Sequence, residues 1–572
     1  MVCVCVAGGR LSQNIHERLA EAARVQAQGD LGTAAGLYHK ILSLSPHEPT
    51  ALQRLGVIAQ QTGKSELALQ LIDAALTAVP DFTEARFNRS VVLRGMGRSA
   101  EALQCIRKTV ASAPTCAEAW DLLGQMLKEE GDCDGAATCF AHAIGLQPQN
   151  ARFHGNYALL LFATGNLLAA YREARAADAL DPAYPPLLLG NILQAWGHPE
   201  RAIAYFARAR ALLPHLGEVT ISEAIARLQI GDMERGWELW EKRPDLLEAE
   251  LKDIPLWRGQ KVAHLLLYEE QGLGDALQFS RYIPLLASRA ERLTLRVKPA
   301  LQRLFALNFP SLDVICEEDP PPKAEARCRL FSLPFLFAAR LNNIQGHPYL
   351  IAPKVSPKQR HSLSPHLGGE GQGEGGRGEY QPAPPAPLPP SGGRGAFPSP
   401  RIGLVWAGNV KHHDDAKRSM DFSLLQPLLA CGAAHFVSLQ KNRCDAIGAA
   451  GVFDAAQHAQ DLADTAAMMT ELDLIISVDT SVAHLAGALG KPVFILLPFS
   501  CDWRWLLGRE DCPWYASARL FRQKKAGDWE SVIGAVAAEV KKFIAGDRSV
   551  LIPAKWEGEC LRENPDALAL PA

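Results

Sequence analysis

The 572-residue sequence has no apolar run of the ~18 residues that a bilayer-spanning helix needs. The apolar stretch LFSLPFLFAARL is interrupted by Pro334. The opening MVCVCVAGG is apolar, but it is too short for a signal peptide and lacks a basic start. There is no charge excess either: charged residues make up 21% and the formal net charge is −3. Nothing therefore points to nucleic acid or to a solvating acidic tail. Thirteen cysteines are scattered without a C-x-x-C, and Cys3 and Cys5 form a lone C-x-C. That excludes a zinc framework and implies reduced thiols and a cytoplasmic location, with peripheral membrane association still compatible.

What is present is a period. Gly29, Gly63, Gly97, Gly131 and Gly165 are each 34 residues apart, and so are Ala34 to Ala170 and Pro46 to Pro182. A sixth copy, Gly197, Ala202 and Pro214, follows with two residues deleted. A 34-residue period with helical patterning is the mark of tetratricopeptide repeats. Glycine sits in the turn between antiparallel helices, alanine lies where they cross, and proline ends the second helix. The fourth copy matches best, with Trp120, Leu123, Gly124, Gly131, Ala136, Phe140, Ala143 and Pro148. A weaker seventh copy, GDMERGWELWEKRP, places Gly236, Trp237 and Trp240 where a joining cap belongs. The expected right-handed solenoid offers a concave groove to a peptide or protein partner. Asn88 and Asn156 share a face two periods apart, but Arg54 and Leu122 interrupt any ladder. Ordinary surface asparagines are the preferred reading.

Beyond about residue 250 the pattern changes to strands alternating with helices. VAHLLLYEE, RLTLRVKP, LDVICEE and CRLFSLP read as strands of a small α/β half. Residues 356–400 are rich in glycine, proline and serine and cannot bury a core. They read as a disordered, inert insertion in preference to a ligand for a proline-binding domain. A second half then begins, with RIGLVWAGN, AHFVSLQ, LDLIISV, KPVFILLP and ARLFRQ as strands. Two such halves bind ligands at the carboxyl ends of their strands. The length has room for about two to four domains. The expected division is a disordered 1–14, a solenoid over 15–245, α/β halves over 246–355 and 401–548 around the insertion, and a tail over 549–572.

The most specific chemistry lies in DLIISVDTSVAHLAGALGKPV. A buried strand ends at Val478, and Asp479, Thr480 and Ser481 cap a helix whose first-turn amides suit a diphosphate. His484 lies one turn on. The competing reading is a plain helix cap with a core histidine. VDTSVAHLAGALGKP resembles the nucleotide-binding motif of the bacterial heptosyltransferase-like glycosyltransferases, which have the GT-B fold of two Rossmann-like halves facing a cleft. EEQGLGDALQF resembles the amino-terminal motif of that family. With GLVWAGN and LLPFSCDWRWLLGREDCPWYASARLFRQ, the whole is similar to bacterial tetratricopeptide–glycosyltransferase fusions, and more distantly to the eukaryotic O-GlcNAc transferase.

The resemblance implies an inverting, metal-independent transfer from a nucleoside-diphosphate sugar to a protein, glycan or lipid acceptor, with no resident cofactor. Asp275 matches the general base, with a plain cap as its alternative. Arg418 matches the basic residue on the phosphates, with Lys417 as fallback. Asp479, Thr480, Ser481 and His484 match the diphosphate contacts, and Gln440 and Lys441 are placed beside the nucleotide. Trp503, Arg504 and Trp505 either line the cleft or pack the halves together. The amino-terminal half is short for a complete acceptor domain, so the solenoid is expected to contribute. The alternative is a non-catalytic repeat scaffold with a decayed transferase region.

Overall fold

The computed structural model describes residues 2–184, 186–244, 251–356, 399–412, 415–441 and 450–553, with backbone alone for 2–14. Most of the insertion and the end of the tail lie outside the described residues. Among the described residues, fourteen helices run from Val2–Ala27 to Met233–Trp240. The first begins at Val2, inside the stretch expected to be disordered: a correction to the 1–14 boundary.

The three residue columns act as their chemistry dictates. The seven turn glycines from Gly29 to Gly231 all have positive φ, between 74° and 87°. From Gly63 onward, the amide after each glycine reaches back five residues, as Lys64 does to the Ala59 carbonyl at 2.8 Å and Asp132 to Leu127 at 2.9 Å. That geometry closes a helix end and needs a left-handed residue, which glycine supplies without strain. Ala34, Ala68, Ala102, Ala136, Ala170 and Ala202 are all fully buried. Asp30, Asp132, Asn166 and Asp232 then cap the next helix with their side chains. A Cβ on Gly124 would stand 2.9 Å from Phe140, so this pair fixes the close crossing in the fourth repeat. Asn156 resolves differently from either reading. Asn156 donates to the buried Asp121 at 2.8 Å, an internal polar link between repeats.

The chain divides into two compact units, residues 1–192 and 193–572. The division falls inside the repeats, not at residue 245. Packing explains it, because the final repeat belongs to the core of the second unit. Trp237 is 1% exposed and meets Trp503 edge-on at 5.2 Å, Phe279 at 6.3 Å and Phe331 at 6.2 Å. Trp240 lies 4.6 Å from Phe331, and Gln229 donates to the Cys501 carbonyl at 3.2 Å. Arg243 is buried in ion pairs with Glu241 and Glu270. The seventh copy is thus a joining cap, held mainly by aromatic burial.

Two parallel sheets follow. The first has the order β3-β2-β1-β4, from β1 (Val262–Tyr268), β2 (Ala290–Val297), β3 (Asp313–Cys316) and β4 (Ala326–Arg329). The second has the order β10-β9-β8-β5-β6-β7. Its strands are β5 (Arg401–Val405), β6 (His435–Ser438), β7 (Phe453–Asp454), β8 (Leu474–Val478), β9 (Val493–Leu497) and β10 (Ala518–Arg522). The two-residue β7 carries too little pattern to be legible in the sequence. Counted from β5, the second sheet runs 3-2-1-4-5-6, the dinucleotide-binding order. The order reverses between β5 and β8, and in the first sheet between β1 and β4. The turns after β1, β5 and β8 are therefore the places where such sheets hold ligands.

Candidate functional site

The turn after β1 leads into the helix Leu273–Phe279, whose first turn holds Asp275. One Asp275 oxygen accepts the Gly272 amide at 2.8 Å, closing the helix start. Its other oxygen pairs with Arg504. Asp275 thus makes the helix-cap contact of its plainer reading and pairs with a cation from the turn beyond β9. Arg504 lies in the turn Trp503–Trp505 beyond β9. It donates to Gln278 Oε1 at 2.8 Å and to Asp502 Oδ1 at 2.7 Å, and its guanidinium stacks over Trp503 at 4.5 Å. Burial alone would lower its proton affinity; Asp275, Asp502 and Asp479 outweigh that and hold it above the ordinary arginine value.

The turn after β8 leads into the helix Ser481–Ala488, with Thr480 as its N-cap residue. The amides of Ser481 and Val482 sit in the first turn, where no carbonyl of the same helix can meet them. His484 is 5% exposed. Its Nδ1 lies 2.8 Å from the Tyr515 hydroxyl, its ring stacks on Trp505 at 5.2 Å, and its Nε2 is 3.9 Å from Asp479. A Cβ on Gly274 would stand 2.7 Å from the His484 ring. Glycine at 274 is what lets the two strand-end helices come this close. Burial first, then the charges of Arg504, Arg281 and Arg418, push His484 well below its ordinary pKa, so it is neutral near pH 7. In the tautomer whose Nδ1 accepts from the Tyr515 hydroxyl, the Nε2–H faces Asp479.

The turn after β5 completes the group. Its backbone is braced by Gln440, whose Oε1 accepts the amides of Trp406 at 3.2 Å and Ala407 at 2.9 Å. Arg418 lies against this turn: a Cβ on Gly408 would stand 2.8 Å from its Nε. That Nε is buried with no hydrogen-bond partner among the described residues. The Arg418 charge is felt at both Asp479 and His484.

Asp479 is pushed up to about 6, by burial first and Asp502 second, against the pull of Trp505, Arg418 and Arg504. This has a consequence for stability. The unfolded carboxyl titrates near 3.8, so between there and about pH 6 the folded protein binds the extra proton. Stability therefore falls as pH rises through that window, and the full penalty stands above it. Asp479→Asn is expected to raise stability at pH 7.5 by about 1–3 kcal/mol, with the gain vanishing by pH 4. Thermal melts at the two pH values check this. An equal or lower melting temperature at pH 7.5 would show that the arginines hold the carboxylate favourably.

The structure brings together Asp275, Arg418, Asp479, Thr480, Ser481 and His484. Gln440, expected beside the nucleotide, is 4% exposed and holds the backbone of the turn after β5. Lys441 is exposed, and its Nζ meets the Gln460 carbonyl at 3.5 Å. Lys417 is exposed on the short helix Asp415–Arg418, so Arg418 is the cation lying against the Gly408 turn. Sequence reasoning left Arg504 between two roles and missed Asp502, Gln278 and Tyr515. The available signal was position: Asp502 and Arg504 lie in the turn beyond β9, at the ligand-holding end of a parallel sheet.

Two family models, both described as tetratricopeptide repeat, match residues 26–86 and 122–185. The chain carries tetratricopeptide repeats. Protein FlbA of Caulobacter vibrioides is 28% identical over 545 residues, covering 90% of this chain and 82% of FlbA. Protein O-mannosyl-transferase TMTC1 of Homo sapiens is 27% identical over 195 residues, 32% of this chain and 22% of TMTC1. Solved structures similar to this chain include Pseudomonas aeruginosa PilF, at 17% identity and a TM-score of 0.33, covering 36% of this chain and 94% of PilF. A tetratricopeptide repeat protein from Parabacteroides merdae matches at 19% identity and a TM-score of 0.33, covering 40% and 92%. Among the described residues, no helix is long and apolar enough to cross a membrane.

Proposed function

We propose that this protein is a glycosyltransferase that moves a sugar from a nucleoside-diphosphate donor to an acceptor brought by the repeats. The observation that carries the reading is the meeting of strand-end turns: Gly274 after β1 packs on His484 after β8, and Asp275 beside it pairs with Arg504 from the turn beyond β9. A donor diphosphate fits the first turn of the Ser481–Ala488 helix, with Arg418, Arg504 and neutral His484 as donors to its oxygens. In the transfer, the acceptor oxygen bonds to the anomeric carbon and its proton passes to Asp275. The bond from that carbon to the diphosphate breaks, and the electron pair leaves with the diphosphate. Inversion follows from a single displacement, and the cations and helix amides supply the leaving-group stabilisation that a metal gives in other transferases. The mannosyltransferase name of TMTC1 agrees with a role in glycosylation.

Asp275 has both oxygens engaged, which is the observation favouring a non-catalytic scaffold. Thermal shift with ADP-, UDP-, GDP- and CMP-sugars separates the two. One donor class at a hundredfold its dissociation constant is expected to stabilise the fold by about 2.7 kcal/mol. No shift with any of them would leave the scaffold reading.

A further inference from the structure

Arg504 crosses from one sheet's turns to the other's, and its partners fall into two kinds. Asp502 is local: it accepts both the Arg504 backbone amide, at 2.9 Å, and the guanidinium, at 2.7 Å. Asp275 and Gln278 belong to the opposite sheet's helix Leu273–Phe279. Asp275 does not depend on Arg504 for its place, because the Gly272 amide holds its other oxygen. The turn that carries Arg504 also packs on the Ser481–Ala488 helix, where His484 stacks on Trp505 at 5.2 Å, and the Arg504 charge acts on Asp479 and His484 there. One buried guanidinium thus stands between a carboxylate on one side and an anion-suited helix start on the other.

We propose that Arg504 is an exchangeable positioning residue: a diphosphate bound at Thr480–His484 competes with Asp275 for its guanidinium. The inference rests on the transferase reading above. A planar guanidinium pairs equally well with carboxylate and phosphate, so the exchange keeps its hydrogen bonds while changing its partner. Its effect is on order. Paired with Arg504 and the Gly272 amide, Asp275 has both oxygens engaged and neither open to an acceptor hydroxyl. Once the guanidinium turns to the diphosphate, Asp275 regains an oxygen able to accept the acceptor proton. An open carboxylate oxygen then exists only when donor is present.

The competition has a distinctive sign. Asp275→Asn removes the rival anion, so calorimetric titration of the full chain with ADP, UDP and GDP is expected to show the bound diphosphate held about tenfold more tightly. Arg504→Ala is expected to weaken it about tenfold or more, and Arg504→Lys to restore part of that. The double variant should match Arg504→Ala alone, because Asp275 matters only through Arg504. Melting curves guard against misfolding, and the isosteric Asp275→Asn carries the test if Arg504→Ala fails to fold. Wild-type binding with unchanged or weaker affinity in Asp275→Asn would overturn the exchange and leave the transferase reading standing. If the wild type binds none of the three diphosphates, the transferase reading fails and this inference falls with it.

Discussion

Asp275→Asn is expected to lower sugar transfer by ~10²–10⁴-fold while donor binding survives, the range over which general-base removal acts. The asparagine keeps the shape and can still accept the Gly272 amide, so the helix start is preserved. What it loses is the ability to take a proton from the acceptor. The measurement is turnover of the donor class found by thermal shift, beside a calorimetric titration of the same variant. Normal turnover would remove Asp275 from the mechanism. Lost donor binding together with a lowered melting temperature would make it a structural cap.

Cutting the chain at residue 245 is expected to destroy the fold of the remainder, whereas residues 186–572 should fold. The first cut removes Trp237, Trp240 and Arg243, which are 1%, 6% and 8% exposed. Truncating one such buried tryptophan to alanine costs about 3–5 kcal/mol, and losing the repeat removes two, against a typical total of ~5–15 kcal/mol. It also takes Arg243 from Glu270, which keeps Arg329 at 3.6 Å. The cut at 186 spares the helix Pro186–Ala195 and everything packed in the second unit. Circular dichroism and cooperative urea melts of the two fragments decide it. A cooperative transition in residues 246–572 would show that the final repeat is an appendage.

The repeats were legible because each column solves a local problem. Glycine at a left-handed turn, alanine at a helix crossing and proline beyond a helix end need only their near neighbours, so a period of 34 exposes them. The strands β1, β5, β8 and β9 were legible for a similar reason: buried parallel strands are short continuous apolar runs. The helix start at Thr480 could also be read from its residue type, although its hydroxyl meets Ser477 and makes no cap hydrogen bond.

Tertiary structure decided the rest. Whether Asp275 is a cap or a base partner depends on Arg504, 229 residues away, and no spacing encodes that pair. Gln440 was assigned to a nucleotide because it follows a strand; only the fold shows its oxygen bonded to the Trp406 and Ala407 amides. His484 is neutral near pH 7 because burial and three arginines from separate elements act on it at once. The last repeat belongs to the second unit because its tryptophans find Phe279, Phe331 and Trp503. The sequence by itself determined the elements and their local caps, through short-range sterics and hydrogen bonding. The charge state of the site and the limit of its supporting core arise from burial and long-range pairing, which exist only once the chain has folded.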